Sequence, residues 1–380
     1  MTLLMDTIPL FESQTLMNYA ARRAQLKQQL ADSADVIALV PGANLMYYTG
    51  LHYHLSERPI IALFAGDDFS VIVPEVEMPQ LSARPDLEAR AFIWNDKDGY
   101  QGAVEAAVAA LGMQGKTLGA DDKTMRLFEW MAFLEADPTM KLEELGGDLL
   151  RLRSRKDADE IAAMRQAIAI SEQALATTLP QIQAGMTERE IAALLDNALI
   201  ALGTHDFAFR ALVQTGPNSA LPHGNTTDRA LQAGEFLLID FGGMFNHYPA
   251  DITRTYCLGE PSDEMQRIYD AVLAANRAAC AAARPGVECG AVDAAAREVI
   301  TAAGYGEYFI HRTGHGLGLE THELPQMAAN VEDVLEPGMV FTVEPGIYIP
   351  GMGGVRIEDD VLVTDDGVDV LTSFPRTLRL

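Results

Sequence analysis

Cysteine is scarce: Cys257, Cys280 and Cys289 are the three in 380 residues, and no C-x-x-C spacing occurs. That argues against a disulfide framework or a thiolate zinc site and points to a reducing compartment, the cytoplasm. No stretch approaches about 18 consecutive apolar residues, so no membrane-spanning helix is expected. Positive charge is in short supply too. Lys and Arg number 28 against 54 Asp and Glu, a net charge of −26. Such a surface repels phosphate, which makes nucleic acid and anionic membrane poor partners. Hydrophobic residues are 48% and charged residues 22%, the balance of a globular chain. The length predicts two or three domains. Residues 1–16 carry Asp6 and Glu12 and no basic n-region. They fail as a signal peptide and are expected to be an extension or a misassigned start.

Along the chain, residues 18–30 form an amphipathic helical pattern, and 36–40 is a short apolar run closed by Pro41-Gly42. Further strand-like runs fall at 60–64, 69–73 and 118–120, with helices expected over 103–111 and 125–134. This alternation predicts a small α/β domain over 17–150. Around 146–156 the composition turns basic, and the boundary is placed there. The basic run reads equally as a solvated linker or as a cationic strip facing the partner domain. The second domain, 151–380, opens with helical spacing at Ile161, Met164, Ile168 and Leu175. Thr187 with Glu190 makes a capping box, and Ser262 is placed to cap a third helix. A fourth helix is expected over 292–303. Strands are expected at 236–241, 252–256, 339–343 and 355–363. Helices and strands are partly segregated, which favours α+β.

Four acids interrupt the apolar strands of this second half. Asp240 ends Phe236-Leu237-Leu238-Ile239, and Asp251 lies eleven residues on, across Gly242-Gly243, so a hairpin would bring the two together. Glu344 follows the run at 339–343, and Glu358 sits inside the run at 355–363. A buried acid must be paired, hydrogen-bonded or ligated. One alone would suit a capped strand end or a salt bridge. Four, with few cations nearby, point to metal. Histidine adds to this: His311, His315 and His322 fall within twelve residues, in a Gly-rich stretch unsuited to a helix. Four carboxylates balance two divalent ions. Oxygen-rich ligation with one imidazole suits manganese, iron(II), cobalt or zinc.

These segments resemble the pita-bread metallopeptidases: prolidase, Xaa-Pro aminopeptidase and, more distantly, methionine aminopeptidase. The resemblance is carried by Leu238-Ile239-Asp240-Phe241-Gly242, Ala250-Asp251-Ile252-Thr253-Arg254, Gly314-His315-Gly316-Leu317-Gly318 with His322-Glu323, Val343-Glu344-Pro345-Gly346, and Val355-Arg356-Ile357-Glu358-Asp359. It is strong over roughly 150–380. The front third looks like the creatinase-type N-terminal domain of the proline-specific members. The resemblance therefore implies an α+β chain with a C-terminal pita-bread fold behind a smaller α/β domain.

It also implies a ligand set. Asp240 would hold one metal, His315 and Glu344 the other, and Asp251 and Glu358 would bridge both. The two divalent ions would be Mn2+ first, with Co2+, Zn2+ or Fe2+ as alternatives. Creatinases share the fold but lack this set. A metal-bridging hydroxide would attack the Xaa carbonyl. Glu344 would take and return a proton, and His322 would steady the oxyanion. His223, seventeen residues before Asp240, would hold the proline side with His311. Arg356, two residues before Glu358, would share its face on one strand and either bind substrate or neutralise the acids. The implied activity is hydrolysis of the Xaa-Pro bond, in dipeptides or at the N-terminus of short peptides, by a cytoplasmic homodimer. Two readings stand beside it: chemistry on a small non-peptide substrate at the same metals, and a non-catalytic protein-binding module.

Overall fold

Val36-Ile37-Ala38-Leu39 is apolar at every position, and every one of its side chains is buried. It forms a middle strand of a six-stranded sheet. The sheet order is Arg90–Trp94, Asp68–Pro74, Ile61–Ala65, Val36–Leu39, Thr117–Ala120, Lys141–Glu144. Val36–Leu39 runs antiparallel to Ile61–Ala65 and parallel to Thr117–Ala120, so the sheet is mixed. The computed structural model describes residues 17–380, and the expected extension at 1–16 lies outside the described residues. The chain divides into two units, the first ending at Gly146 and the second running from Gly147 to Leu380.

In the first unit, the Asn18 side chain caps the helix Tyr19–Leu30 by accepting from the Ala21 N–H at 3.0 Å. Helices Gln101–Ala110 and Leu127–Ala136 bury Val104, Val108 and Phe133 in a core with Val36, Ile61, Ile72 and Trp94. The strand Lys141–Glu144 has no apolar signature. All four of its residues are exposed, and it pairs only through its backbone with Thr117–Ala120. A hydropathy pattern cannot reveal such an edge strand.

The second unit is α+β. The helices Glu188–Ala201 and Asp263–Ala282 begin at the expected caps Thr187 and Ser262, whereas Ala158–Thr178 begins at Asp157 and Cys289–Ala302 at Glu288. One antiparallel sheet runs Ile252–Cys257, Phe236–Phe241, Leu212–Thr215. Another runs Glu323–Met327, Gly314–Gly316, Val340–Val343, Asp359–Val363, Val368–Val370. The main core packs Val272, Ala279, Val292 and Ile300 of two helices against Phe341, Val343, Val355 and Val361 of the strands. Among the described residues no helix is long and apolar enough to cross a membrane.

Two departures from expectation appear here. The basic run is not a wholly solvated linker: it lies in and just after a helix, Gly146–Ser154, where Arg153 and Lys156 are buried and Arg151 and Arg155 exposed. The apolar run 355–363 is two strands rather than one. Gly353–Arg356 pairs with Gly346–Ile349, whereas Asp359–Val363 pairs with Val340–Val343. Between them the chain changes sheets, and the Glu358 N–H donates to the Thr253 carbonyl at 3.1 Å. The change of partner lands on the acid.

Candidate active site

Asp240, Asp251, His315, Glu344, Glu358, His223, His311, His322 and Arg356 all line one cavity of about 1020 Å³. Local structure explains how acids so far apart reach it. Asp240 sits within the strand Phe236–Phe241, opposite Thr253. Asp251 lies just ahead of Ile252–Cys257, and its N–H donates to Asp360 Oδ2 at 3.2 Å. Glu344 leaves the end of Val340–Val343 and donates its N–H to the Thr313 carbonyl at 2.8 Å. His315 is central in Gly314–Gly316. A Cβ at Gly314 would fall 1.8 Å from the Thr342 carbonyl oxygen, and one at Gly316 2.1 Å from that of Leu324. Only glycine on both sides lets the histidine strand pass between its neighbours.

Ligand-capable atoms of Asp251, His315 and Glu358 lie within 4.8 Å of one another, and all three residues are buried. His315 Nε2 is 3.7 Å from Asp251 Oδ2 and 3.4 Å from Glu344 Oε1. Its Nδ1 faces the Gly316 carbonyl at 3.1 Å. A carbonyl only accepts, so Nδ1 carries the proton, and Nε2 turns a bare lone pair toward carboxylates. Burial, helped by His322, lowers the His315 pKa to about 3, so the ring stays neutral. Acceptor thus faces acceptor, an arrangement that a cation resolves.

The acids show the same strain. Burial first, then the charges of Glu358 and Asp240, push Asp251 well above the usual carboxylate range. Burial, Glu344 and Asp240 do the same to Glu358, against which Thr253 Oγ1 donates one hydrogen bond at 2.6 Å. Burial raises Glu344 to about 7 although Arg356 opposes it. Asp240 is also raised by burial, with Arg356 again opposing. Its Oδ1 is buried without a hydrogen-bond partner. Of the four carboxylates only Asp240 is ion-paired with a guanidinium, that of Arg356, and the imidazole beside them is neutral. The donor set therefore fits divalent cations bound mostly by oxygen.

Asp240 stands apart from the three-residue cluster because Arg356 Nη2 holds its Oδ2 at 2.5 Å. Arg356 also donates through Nε to Thr253 Oγ1 at 3.0 Å and through Nη1 to the Tyr348 hydroxyl at 3.0 Å. All three of its nitrogens are engaged inside the protein, which supports its expected role as neutraliser of the acids. His311 is similarly engaged. Its Nδ1 meets the Arg312 carbonyl at 2.7 Å, so Nε2 accepts from the Tyr348 hydroxyl at 2.9 Å. Burial lowers its pKa to about 4. His223 and His322 are exposed at the cavity, and the His322 ring stands edge-on to His315 with centroids 4.1 Å apart.

Tyr348 and Thr253 escaped the sequence reading. The available signal was weak: each is a hydroxyl on a buried strand. Arg312 was also missed, hidden between two histidines.

The model of metallopeptidase family M24 matches residues 162–365. An uncharacterized peptidase of Staphylococcus aureus (strain MSSA476) is 34% identical over 355 residues, 93% of this chain and 97% of that protein. Among solved structures, an Xaa-Pro dipeptidase from Bacillus anthracis is 34% identical with a TM-score of 0.88, covering 96% of this chain and 100% of that one. An X-Pro aminopeptidase from Thermotoga maritima is 34% identical with a TM-score of 0.83, covering 94% and 100%.

Proposed function

The chain belongs to metallopeptidase family M24, with a pita-bread catalytic unit behind a smaller α/β unit, and from that premise we propose that it is a dinuclear-metal-dependent peptidase of Xaa-Pro bonds. Its substrates are Xaa-Pro dipeptides or the N-termini of short peptides. The observation that carries this reading is the convergence of Asp251, His315 and Glu358 within ligating distance of one another, with Asp240 and Glu344 in the same cavity. Asp240, Asp251, His315, Glu344 and Glu358 would hold the two cations, with Mn2+ first and Co2+, Zn2+ or Fe2+ as alternatives. Bound there, divalent cations supply Lewis acidity toward a carbonyl and lower the pKa of water.

The chain's own groups do the rest. Glu344, in the same cavity, takes a proton from the attacking water at its carboxylate and returns it to the leaving nitrogen. His322, exposed and beside His315, donates to the carbonyl oxygen as charge develops on it. His223 packs the proline side. His311 acts through Tyr348, which Arg356 and His311 grip from two directions. Arg312 lines the cavity, and its guanidinium makes no ion pair or hydrogen bond among the described residues. A free peptide carboxylate would find its cation there, which supports the dipeptide branch.

The test is a metal-reconstituted assay with Ala-Pro and Ala-Pro-Ala. Chelation should abolish turnover and Mn2+ restore it, with Ala-Pro the better substrate. Absence of turnover on either peptide at full metal content would overturn the reading. The protein is taken to work as a cytoplasmic homodimer; elution at one chain mass in gel filtration would refute the dimer.

A further inference from the structure

Arg151, Arg153, Arg155 and Lys156 put four basic residues within six positions of an acidic chain, and the chemistry above leaves them unused. Arg151 and Arg155 point outward, their side chains 66% and 60% exposed. Arg153 and Lys156 do not: each is 1% exposed, and so is the carboxylate they share. That carboxylate belongs to Glu323. Arg153 Nη1 lies 3.3 Å from Glu323 Oε1, and Lys156 Nζ lies 3.2 Å from Glu323 Oε2. Arg153 Nη2 also holds Glu320 Oε2 at 2.5 Å, so two cations balance two acids. Burial alone would raise the Glu323 carboxyl, but Lys156 and then Arg153 outweigh it and hold it below the ordinary range.

Glu323 directly follows His322. It opens the strand Glu323–Met327, whose partner Gly314–Gly316 carries His315. The Glu320 N–H donates to Glu323 Oε1 at 3.1 Å. A Cβ on Gly318 would fall 2.4 Å from the Glu323 carboxylate, so the loop between the strands is folded down onto that group. The loop is therefore pinned at 318, 320 and 323, and His322 is the ring it presents to the cavity.

We infer that Arg153 and Lys156 are positioning residues, which fix the His322 loop through the buried carboxylate of Glu323. The inference rests on the reading that His322 contacts the reacting carbonyl. A purely scaffolding role would lower stability or the yield of active enzyme, and its effect would multiply with any loss at His322. A positioning role acts only through His322.

A double-variant cycle on the metal-reconstituted full chain separates these. Lys156→Met keeps the side chain's length and removes its charge. It should lower kcat on Ala-Pro about 10-fold, the scale of a small misplacement of a catalytic group. KM and bound metal should stay unchanged, and Lys156→Arg should recover most of the loss. His322→Ala alone should lower kcat about 10²–10³-fold, and adding Lys156→Met to it should cost nothing more. Losses that multiply in the double variant overturn the inference. So does a normal kcat for Lys156→Met beside an impaired His322→Ala. An unimpaired His322→Ala overturns the reading of His322 itself, and the inference with it. If Lys156→Met does not fold, Glu323→Gln, which keeps the side-chain volume, carries the same cycle with the same outcomes.

Discussion

Glu358 and Asp359 are consecutive in the chain and opposite in their surroundings. Asp359 is buried among donors: Arg254 Nη2 at 2.9 Å, Arg376 Nη2 at 2.7 Å, Asn276 Nδ2 at 2.9 Å and Thr372 Oγ1 at 2.7 Å. Burial would raise its carboxyl, but the two arginines outweigh burial and hold it below the ordinary range. Glu358 is buried among acids, with the Thr253 hydroxyl as its hydrogen-bond donor and Asp251 and the bare nitrogen of His315 within ligating reach. Its carboxyl is driven far up. A buried acid that the protein satisfies is scaffold. A buried acid that the protein surrounds with further acceptors is a place for cations.

The sharpest way to break this contrast is to neutralise each acid in turn. Glu358→Gln should lower turnover about 10³-fold or more, at least the scale of losing a dedicated electrostatic stabiliser. Metal per chain should fall with it. The melting temperature of the metal-free protein should not fall, because the carboxyl replaced is buried and crowded by Glu344 and Asp240. Asp359→Asn should do the reverse. It strips Arg254 of its buried partner and should cost about 3–5 kcal/mol in denaturant unfolding, while the folded fraction keeps its metal. Equal loss of stability in both variants would erase the distinction.

Acid should also separate the two regions, with opposite sign. The Asp359 carboxyl is lowered in the fold, so its contribution is present above the unfolded value and is lost as pH falls through the folded one, below about 4. The Glu344 carboxyl is raised from 4.5 to about 7. Across that window the metal-free native state binds more protons than the unfolded chain, so stability falls as pH rises. Metal-free protein should therefore melt at a higher temperature at pH 5 than at pH 7.5, and saturating Mn2+ should remove the difference. Because the whole chain is acidic, Glu344→Gln is the control, and the difference should shrink in it. A melting temperature that drops on going from pH 7.5 to pH 5 would contradict the account.

The smallest effect expected is at the brace. Tyr348→Phe deletes a hydroxyl that joins Arg356 to His311 by two hydrogen bonds and should cost about 1–3 kcal/mol, the scale of leaving a buried polar partner unsatisfied. Stability by denaturant titration and kcat on Ala-Pro would both register it.

The contrast also explains what could be read from the sequence. Acids that interrupt apolar strands, and histidines crowded among glycines, stand out against their neighbours. That is why Asp240, Asp251, His315, Glu344 and Glu358 stand out in the sequence as candidates, and the fold brings all five to one cavity. Helix starts were legible for the same reason, since Thr187 and Ser262 cap by local chemistry. What stayed hidden depends on long-range partners. Lys141–Glu144 is a strand only because Thr117–Ala120 lies beside it. The basic run at 151–156 looks solvated until Glu323, over 160 residues away, supplies a buried partner. The break at Ile357 and Glu358 is set by competition between two sheets, and nothing in the apolar run announces it. Tyr348 reads as an ordinary strand residue until its contacts with Arg356 and His311 are seen.

The central claim is that Asp240, Asp251, His315, Glu344 and Glu358 together hold a pair of cations. Anomalous diffraction from crystals grown with Mn2+ tests it most directly. The account predicts two anomalous peaks per chain, both within this cavity, with Asp251 and Glu358 touching both. A single peak at full loading, or peaks coordinated by other residues, would contradict it.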